Sequence, residues 1–129
     1  MRFFTALLFA GLLLPFGSAN SATIVQRVAK MLDGVLVTGA SSTFGPTKAG
    51  EKTFQATVTG TGAVTATVLV QVSNNPSVLG WITLGTITLS GTTTATDGFA
   101  ADAGWAYYRG NVTAVTGTGA AVYLTVAQE

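Results

Sequence analysis

The sequence predicts an all-β fold: an antiparallel β-sandwich or jelly roll of about seven to eight strands, preceded by a non-β N-terminal segment. Three observations lead there. From residue 34 onward, apolar and polar residues alternate at period two. The alternating segments are rich in Val, Thr and Ile and are separated by Gly-rich, turn-forming stretches. No segment with helical periodicity lies between them, which disfavours parallel α/β folds, whose crossovers require one.

Residues 62–73 (GAVTATVLVQVS) carry the clearest pattern, with Val64, Ala66, Val68, Val70 and Val72 on one face and Thr65, Thr67, Leu69, Gln71 and Ser73 on the other. Phe54, Ala56 and Val58 continue the logic in residues 52–59, and Thr59-Gly60-Thr61-Gly62 reads as the turn of a hairpin joining the two. Residues 73–77 (SNNPS) are turn chemistry, with Pro76 excluded from a central ladder position. In residues 81–89 (WITLGTITL) the apolar phase passes from Ile82 and Leu84 to Ile87 and Leu89. A one-residue slip would turn the core face outward, so a bulge or bend is expected at Gly85-Thr86.

A weaker strand is expected near residues 92–96, followed by a stronger one over residues 104–114 (GWAYYRGNVTA). There Trp105, Tyr107, Arg109, Asn111 and Thr113 share one side, and Ala106, Tyr108, Gly110 and Val112 the other. Gly117-Thr118-Gly119 turns the chain into residues 120–127, where Val122, Leu124 and Val126 alternate with Tyr123 and Thr125. Residues 35–37 would add a strand at the start.

The 129 residues support one domain, divided as an N-terminal arm over residues 1–30 and a sandwich over residues 31–129. Residues 1–22 read like a secretory signal, with Arg2 at the start, an apolar run over residues 3–16, and small residues at 17–19 or 20–22. The run, about fourteen residues, is shorter than the roughly twenty that span a bilayer as a helix. A cleaved signal and a retained arm docked on a partner both fit. Residues 24–32 (IVQRVAKML) have apolar positions 24, 25, 28, 31 and 32, the spacing of a short amphipathic helix, and could equally form an extended arm.

Charge is scarce. Lys and Arg number 6 against 5 Asp and Glu, and none lies in residues 53–96. That balance offers no basic field for nucleic acid. A long uncharged Thr, Val, Ala and Gly surface points to contact with other protein, because free sandwiches usually guard strand edges with charge. Cys and His are both absent, which removes disulfides, thiolate ligands and the commonest general base and metal ligand.

The remaining chemistry is thin. Asp33, Glu51, Asp97, Asp102 and Glu129 are the carboxylates, and only Asp97 and Asp102 are close in sequence, in TDGFAADAG. Loop carboxylates that satisfy backbone amides are expected there, in preference to a glycosidase pair or a calcium site. The GTGA at 60–63 and again at 117–120 lacks the Lys and helix of a phosphate loop and reads as a tight turn. Asn111-Val112-Thr113 matches a glycosylation sequon in mid-strand. The chain is therefore expected to be no enzyme, with no catalytic, cofactor-binding or metal-ligating residue and no small-molecule substrate.

Of the aromatics, Trp81 and Tyr108 are expected to fill the sandwich. Trp105, Tyr107, Arg109 and Asn111 form the candidate interface, since Arg and aromatic side chains together are typical of contact anchors. Few charges guard the strand edges, so self-association through those edges or through that face is also expected.

WITLGTITLSGTTTATDGF (81–99) followed by WAYYRGNVTAVTGTGAAVYLTV (105–126) resembles a group of small tailed-bacteriophage virion proteins of the capsid decoration, or cementing, type. The resemblance spans about residues 31–127. It implies a jelly-roll-like domain on the outer capsid surface of a virion, bound to the major capsid protein or another virion protein as a homo-oligomer, a dimer or trimer. Residues 1–30 depart from that pattern: they are an arm that docks on the shell, or translation starts at Met31, or the protein is a secreted relative. In the last case it is a secreted or cell-surface binding module, with carbohydrate as one ligand class.

Overall fold

A computed structural model describes residues 27–77 and 80–128. Eight antiparallel strands run through them: β1 (Arg27–Val35), β2 (Gly39–Ala40), β3 (Glu51–Thr59), β4 (Val64–Ser73), β5 (Ile82–Gly91), β6 (Thr94–Asp102), β7 (Tyr107–Thr116) and β8 (Ala121–Gln128). They form two four-stranded sheets, in the orders β1-β8-β3-β6 and β2-β7-β4-β5. Pairing is nested: β1 with β8, β2 with β7, β3 with β6 and β4 with β5. The chain behaves as one long hairpin closed at the β4–β5 loop and rolled into two layers, which is jelly-roll topology.

The alternation read from the sequence places the core. Phe54, Ala56 and Val58 of β3, every second residue of β4 from Val64 to Val72, and Val122, Leu124 and Val126 of β8 are buried between the layers. Ile87 and Leu89 of β5 and Tyr108 and Val112 of β7 complete the opposite wall. Each side chain points inward because its strand keeps period two against a partner that does the same.

Neither GTGA turn closes a hairpin. β3 and β4 lie in different sheets, as do β7 and β8, so both turns carry the chain from one layer to the other. The two turns abut: the Thr61 N–H and hydroxyl each donate to the Thr118 carbonyl at 3.1 Å, and Gly60 N–H donates to the Thr93 carbonyl of the β5–β6 corner at 2.9 Å. Three sheet-switching corners therefore meet at one end of the sandwich.

β1 departs most from the sequence expectation. Residues 27–32 follow the extended reading of the segment and not the helical one, and as a strand they carry the sandwich back to Arg27, before the expected boundary at residue 31. Two register shifts against β8 set the inward residues of β1: Ala29, Leu32 and Val35 lie opposite Val126, Leu124 and Val122, while Val28, one of the apolar positions of the expected helix, is 66% exposed. An extra residue inserted at Met31 and at Gly34 stretches a period of two to three, which imitates helical spacing. Residues 1–26, with the signal-like segment, lie outside the described residues. Leu36 and Val37, expected in the first strand, are exposed in the β1–β2 connection.

The phase change in β5 is also a bulge. Val70 lies opposite Gly85 and Gln71 opposite Thr83, so Leu84 is the inserted residue, just before the expected Gly85-Thr86. Ile82 thereby returns to the register of inward-facing Val72 at the sandwich rim, where it stays 53% exposed. Gly85 leaves room for the Phe99 ring, which would stand 2.5 Å from a Cβ there.

Gly117 holds its corner with φ at +121°, and a Cβ on it would meet the Ala63 carbonyl oxygen at 2.6 Å. Gly119, in the same turn at φ +65°, has no heavy atom within 4 Å of its Cβ position. Gly117→Ala should therefore lower unfolding free energy by about 2–3 kcal/mol, and Gly119→Ala by about 1 kcal/mol. Denaturant titration of both variants checks this; equal losses would mean that the close approach of the two turns costs nothing.

Candidate functional site

Strand alternation sends Tyr107, Arg109 and Asn111 outward from β7, onto the solvent face of the β2-β7-β4-β5 sheet, while Tyr108, Gly110 and Val112 face the core. Cross-strand register sets their neighbours: Tyr107 lies opposite Ser73, Arg109 opposite Gln71, and Asn111 between Leu69 and Ala40. Thr67, Thr86, Thr88, Thr83 and Thr65 extend the same face, where the Thr65 and Thr116 hydroxyls are hydrogen-bonded to each other. It is a pleated, hydroxyl-covered plane.

Arg109 is held rigidly on that plane. Its Nε donates to Gln71 Oε1 at 2.8 Å, and the guanidinium carbon stands 4.5 Å from the centre of the Trp81 ring. Stacking on an aromatic face contributes about 0.5–1 kcal/mol at a half-exposed position, and the Gln71 bond fixes the fork's orientation. The terminal Nη groups face no carboxylate: among the described residues the only ion pair is Lys30–Asp33, at 3.5 Å.

Two aromatics stand elsewhere than the sequence suggests. Trp81, expected in the core, lies half-buried just before β5 and serves as the platform for Arg109. Trp105, expected beside Tyr107, belongs to the β6–β7 connection and packs against the core cluster. Its carbonyl accepts the Thr47 hydroxyl at 3.0 Å, and the neighbouring Ala106 carbonyl accepts the Thr47 N–H at 2.8 Å. The ladder alternation simply does not begin until Tyr107. Tyr108 is fully buried, as expected.

Asp97 and Asp102 are strand residues of β6, not loop residues. Five positions apart in an extended chain they are separated by roughly 16 Å along the strand, and odd spacing assigns them opposite faces. That exceeds the separations at which a carboxylate pair hydrolyses glycosides. Asp97 accepts the Gly98 N–H at 2.8 Å, and Asp102 lies opposite Glu51. Among the described residues, no three of His, Cys, Asp and Glu gather where a metal could be held.

Lys52 is a site residue that its sequence context does not announce. It shares parity with Phe54, Ala56 and Val58, so β3 turns it inward, and it is 1% exposed. Its Nζ donates to the carbonyls of Lys48 at 2.8 Å and of Gly50 and Ala103 at 3.4 Å, with the Tyr108 ring centre 5.3 Å away. The Tyr108 hydroxyl donates to the same Ala103 carbonyl at 3.3 Å, and Phe54 bridges Tyr108 and Phe99 with ring centres 5.7 and 5.2 Å apart. The ammonium thus plugs the end of the sandwich opposite the three corners, tying the β2–β3 and β6–β7 connections together.

Burial lowers the Lys52 ammonium below the ordinary lysine value, with the Asp102 charge opposing that shift. Burial raises the Tyr108 phenol, opposed by hydrogen bonding from the Trp105 backbone and Thr47. The folded protein binds the Lys52 proton less tightly than the unfolded chain, so this group makes stability rise with pH from its lowered value up to about 10.4. It binds the Tyr108 proton more tightly, so that contribution is lost as pH climbs above about 10. In Lys52→Met the alkaline rise in melting temperature should vanish while the fall above about pH 10 remains. Identical pH profiles for parent and variant would show that Lys52 titrates alike in both states. No protein-family model matches the chain, and it matches neither a curated protein nor a solved structure.

Proposed function

We propose that this chain is a structural virion protein that decorates and stabilises a bacteriophage capsid through protein–protein contacts made by the outer face of its β2-β7-β4-β5 sheet. One observation carries the docking surface: Arg109 is the sole charged side chain on the strands of that sheet, and it is oriented by Trp81 and Gln71 without a carboxylate partner among the described residues. The four described carboxylates, Asp33, Glu51, Asp97 and Asp102, all belong to the other sheet. A hydroxyl-rich face with one oriented cation matches a protein surface that presents an acidic or carbonyl acceptor, and only one charge must be matched when the contact excludes water.

The resemblance of residues 81–99 and 105–126 to decoration proteins supports the virion role, and these residues supply β5 to β8. Jelly rolls serve viral shells and lectins alike, so the fold alone does not choose between them. A sugar-stacking role is disfavoured by Trp81, whose ring is covered by Arg109.

Particles carrying the protein should survive heating that opens particles lacking it. Arg109→Ala should reduce retention on particles by about tenfold or more while lowering domain stability by no more than about 1 kcal/mol. Retention unchanged by Arg109→Ala would place the contact elsewhere, and absence of the protein from purified particles would refute the virion role. An intact mass lacking about the first 19–22 residues would instead favour the secreted module.

A further inference from the structure

The two sheets have four edge strands, β1, β6, β2 and β5. Three carry a device against pairing with another chain. β1 has Arg27, Lys30 and Asp33 and two register shifts. β2 is two residues long, and the chain beyond it stays on β7, with Ser41 N–H bonded to the Gly110 carbonyl at 2.7 Å and Phe44 exchanging bonds with Tyr108 at 2.7 and 2.9 Å. β6 places Asp97 opposite inward-facing Ala56, a charge on the core side of an edge, and ends on Asp102.

β5 is the exception. It is ten residues long, contains neither a charged residue nor proline, and among the described residues receives backbone bonds from β4 alone. Its single bulge, at Leu84, lies near one end and leaves residues 85–91 regular. Thr86, Thr88 and Ser90 point to solvent, and Ile87 and Leu89 point to the core. Such an edge, long, uncharged and alternating, is a template for strand addition.

We propose that β5 pairs antiparallel with β5 of a second copy, joining two β2-β7-β4-β5 sheets into one continuous sheet of eight strands about a twofold axis. The strand's chemistry identifies the partner. A twofold axis brings like residues together, which a charged edge would oppose and this one does not. Overlap of the regular stretch is complete when the axis passes through Thr88, the middle of residues 85–91. Thr86 then faces Ser90 of the second copy, Ile87 faces its Leu89, and Thr88 faces its own counterpart, giving hydroxyl pairs outside and aliphatic pairs on the core side. The pairing leaves the Arg109 face free, because Arg109 stands on β7 and β4 lies between β7 and the edge strand. It does not rest on the virion role.

The full chain lacks cysteine, so introduced thiols report the pairing without background. Cα atoms directly opposite across antiparallel strands lie about 4.5–5.5 Å apart, within disulfide reach. Under mild oxidation Thr88→Cys should form a covalent dimer by itself. Thr86→Cys and Ser90→Cys should cross-link when mixed and much less when separate, and Thr96→Cys on β6 should not cross-link. By analytical ultracentrifugation the parent should dimerise with rising concentration, and Thr88→Lys should weaken the dimer by about tenfold or more while melting like the parent at concentrations where both are monomeric. A parent that remains monomeric at about 0.1 mM overturns the proposal, as does a dimer indifferent to Thr88→Lys. So does a dimer abolished by Arg109→Ala but not by Thr88→Lys, which would place the contact on the sheet face. If Thr88→Lys fails to fold, the cysteine series still decides: cross-linking through Thr96→Cys as readily as through Thr88→Cys overturns it.

Discussion

The contact between two glycine-bearing corners organises this molecule. Thr61 binds the Thr118 carbonyl through both its N–H and its hydroxyl, and so sets the β3–β4 and β7–β8 crossings side by side. With those corners in register, β3 can lie between β8 and β6, and β4 between β7 and β5. Strands far apart in sequence thereby become the neighbours at the centre of each sheet, and their valines and leucines close a single core. Among the described residues the opposite end has no comparable pair of tight turns. A buried ammonium gathers three backbone carbonyls there and rests against an aromatic ring, so that longer connections converge on one charge. A lone buried cation is costly unless its hydrogen-bonding capacity is met, and three carbonyls meet it.

Winding also sorts the charges. Every described carboxylate falls on the strands of the β1-β8-β3-β6 sheet, leaving the strands of the other with Arg109 alone. The consequence is a two-sided molecule: one solvent face carries mixed charge suited to water, and the other is a threonine plane with a single fixed cation. Threonine satisfies the β propensity of these strands and pairs across them through its hydroxyl, as at Thr65 and Thr116. It keeps such a face wettable without the repulsion or desolvation cost that charges would bring to a contact.

Alternation at period two makes most of the core legible in the sequence. Phe54, Ala56, Val58, the valines of β4 and the apolar residues of β8 all stand where parity puts them. Parity places Lys52 inward as well, against the ordinary assignment of a charge at a strand end to solvent. β1 is ambiguous for a different reason, since two inserted residues turn a strand's period into one that helices share. The outward placement of Tyr107, Arg109 and Asn111 follows from alternation, whereas Trp105 precedes the ladder and so escapes its rule.

The sequence by itself determined the secondary structure class, the inward and outward sets of each regular strand, and the shortage of charge. Those properties are local: they depend on a strand's period and on residue type. Only the tertiary structure decided which strands are partners. A Gly-Thr-Gly-Ala turn serves a hairpin or a sheet crossing equally well, and the choice depends on where the second such turn comes to rest. It also decided that Trp81 carries Arg109 outside the core, and that among the described residues β5 is the one edge of four left unguarded. Each of these depends on contacts between residues tens of positions apart, which no local pattern records.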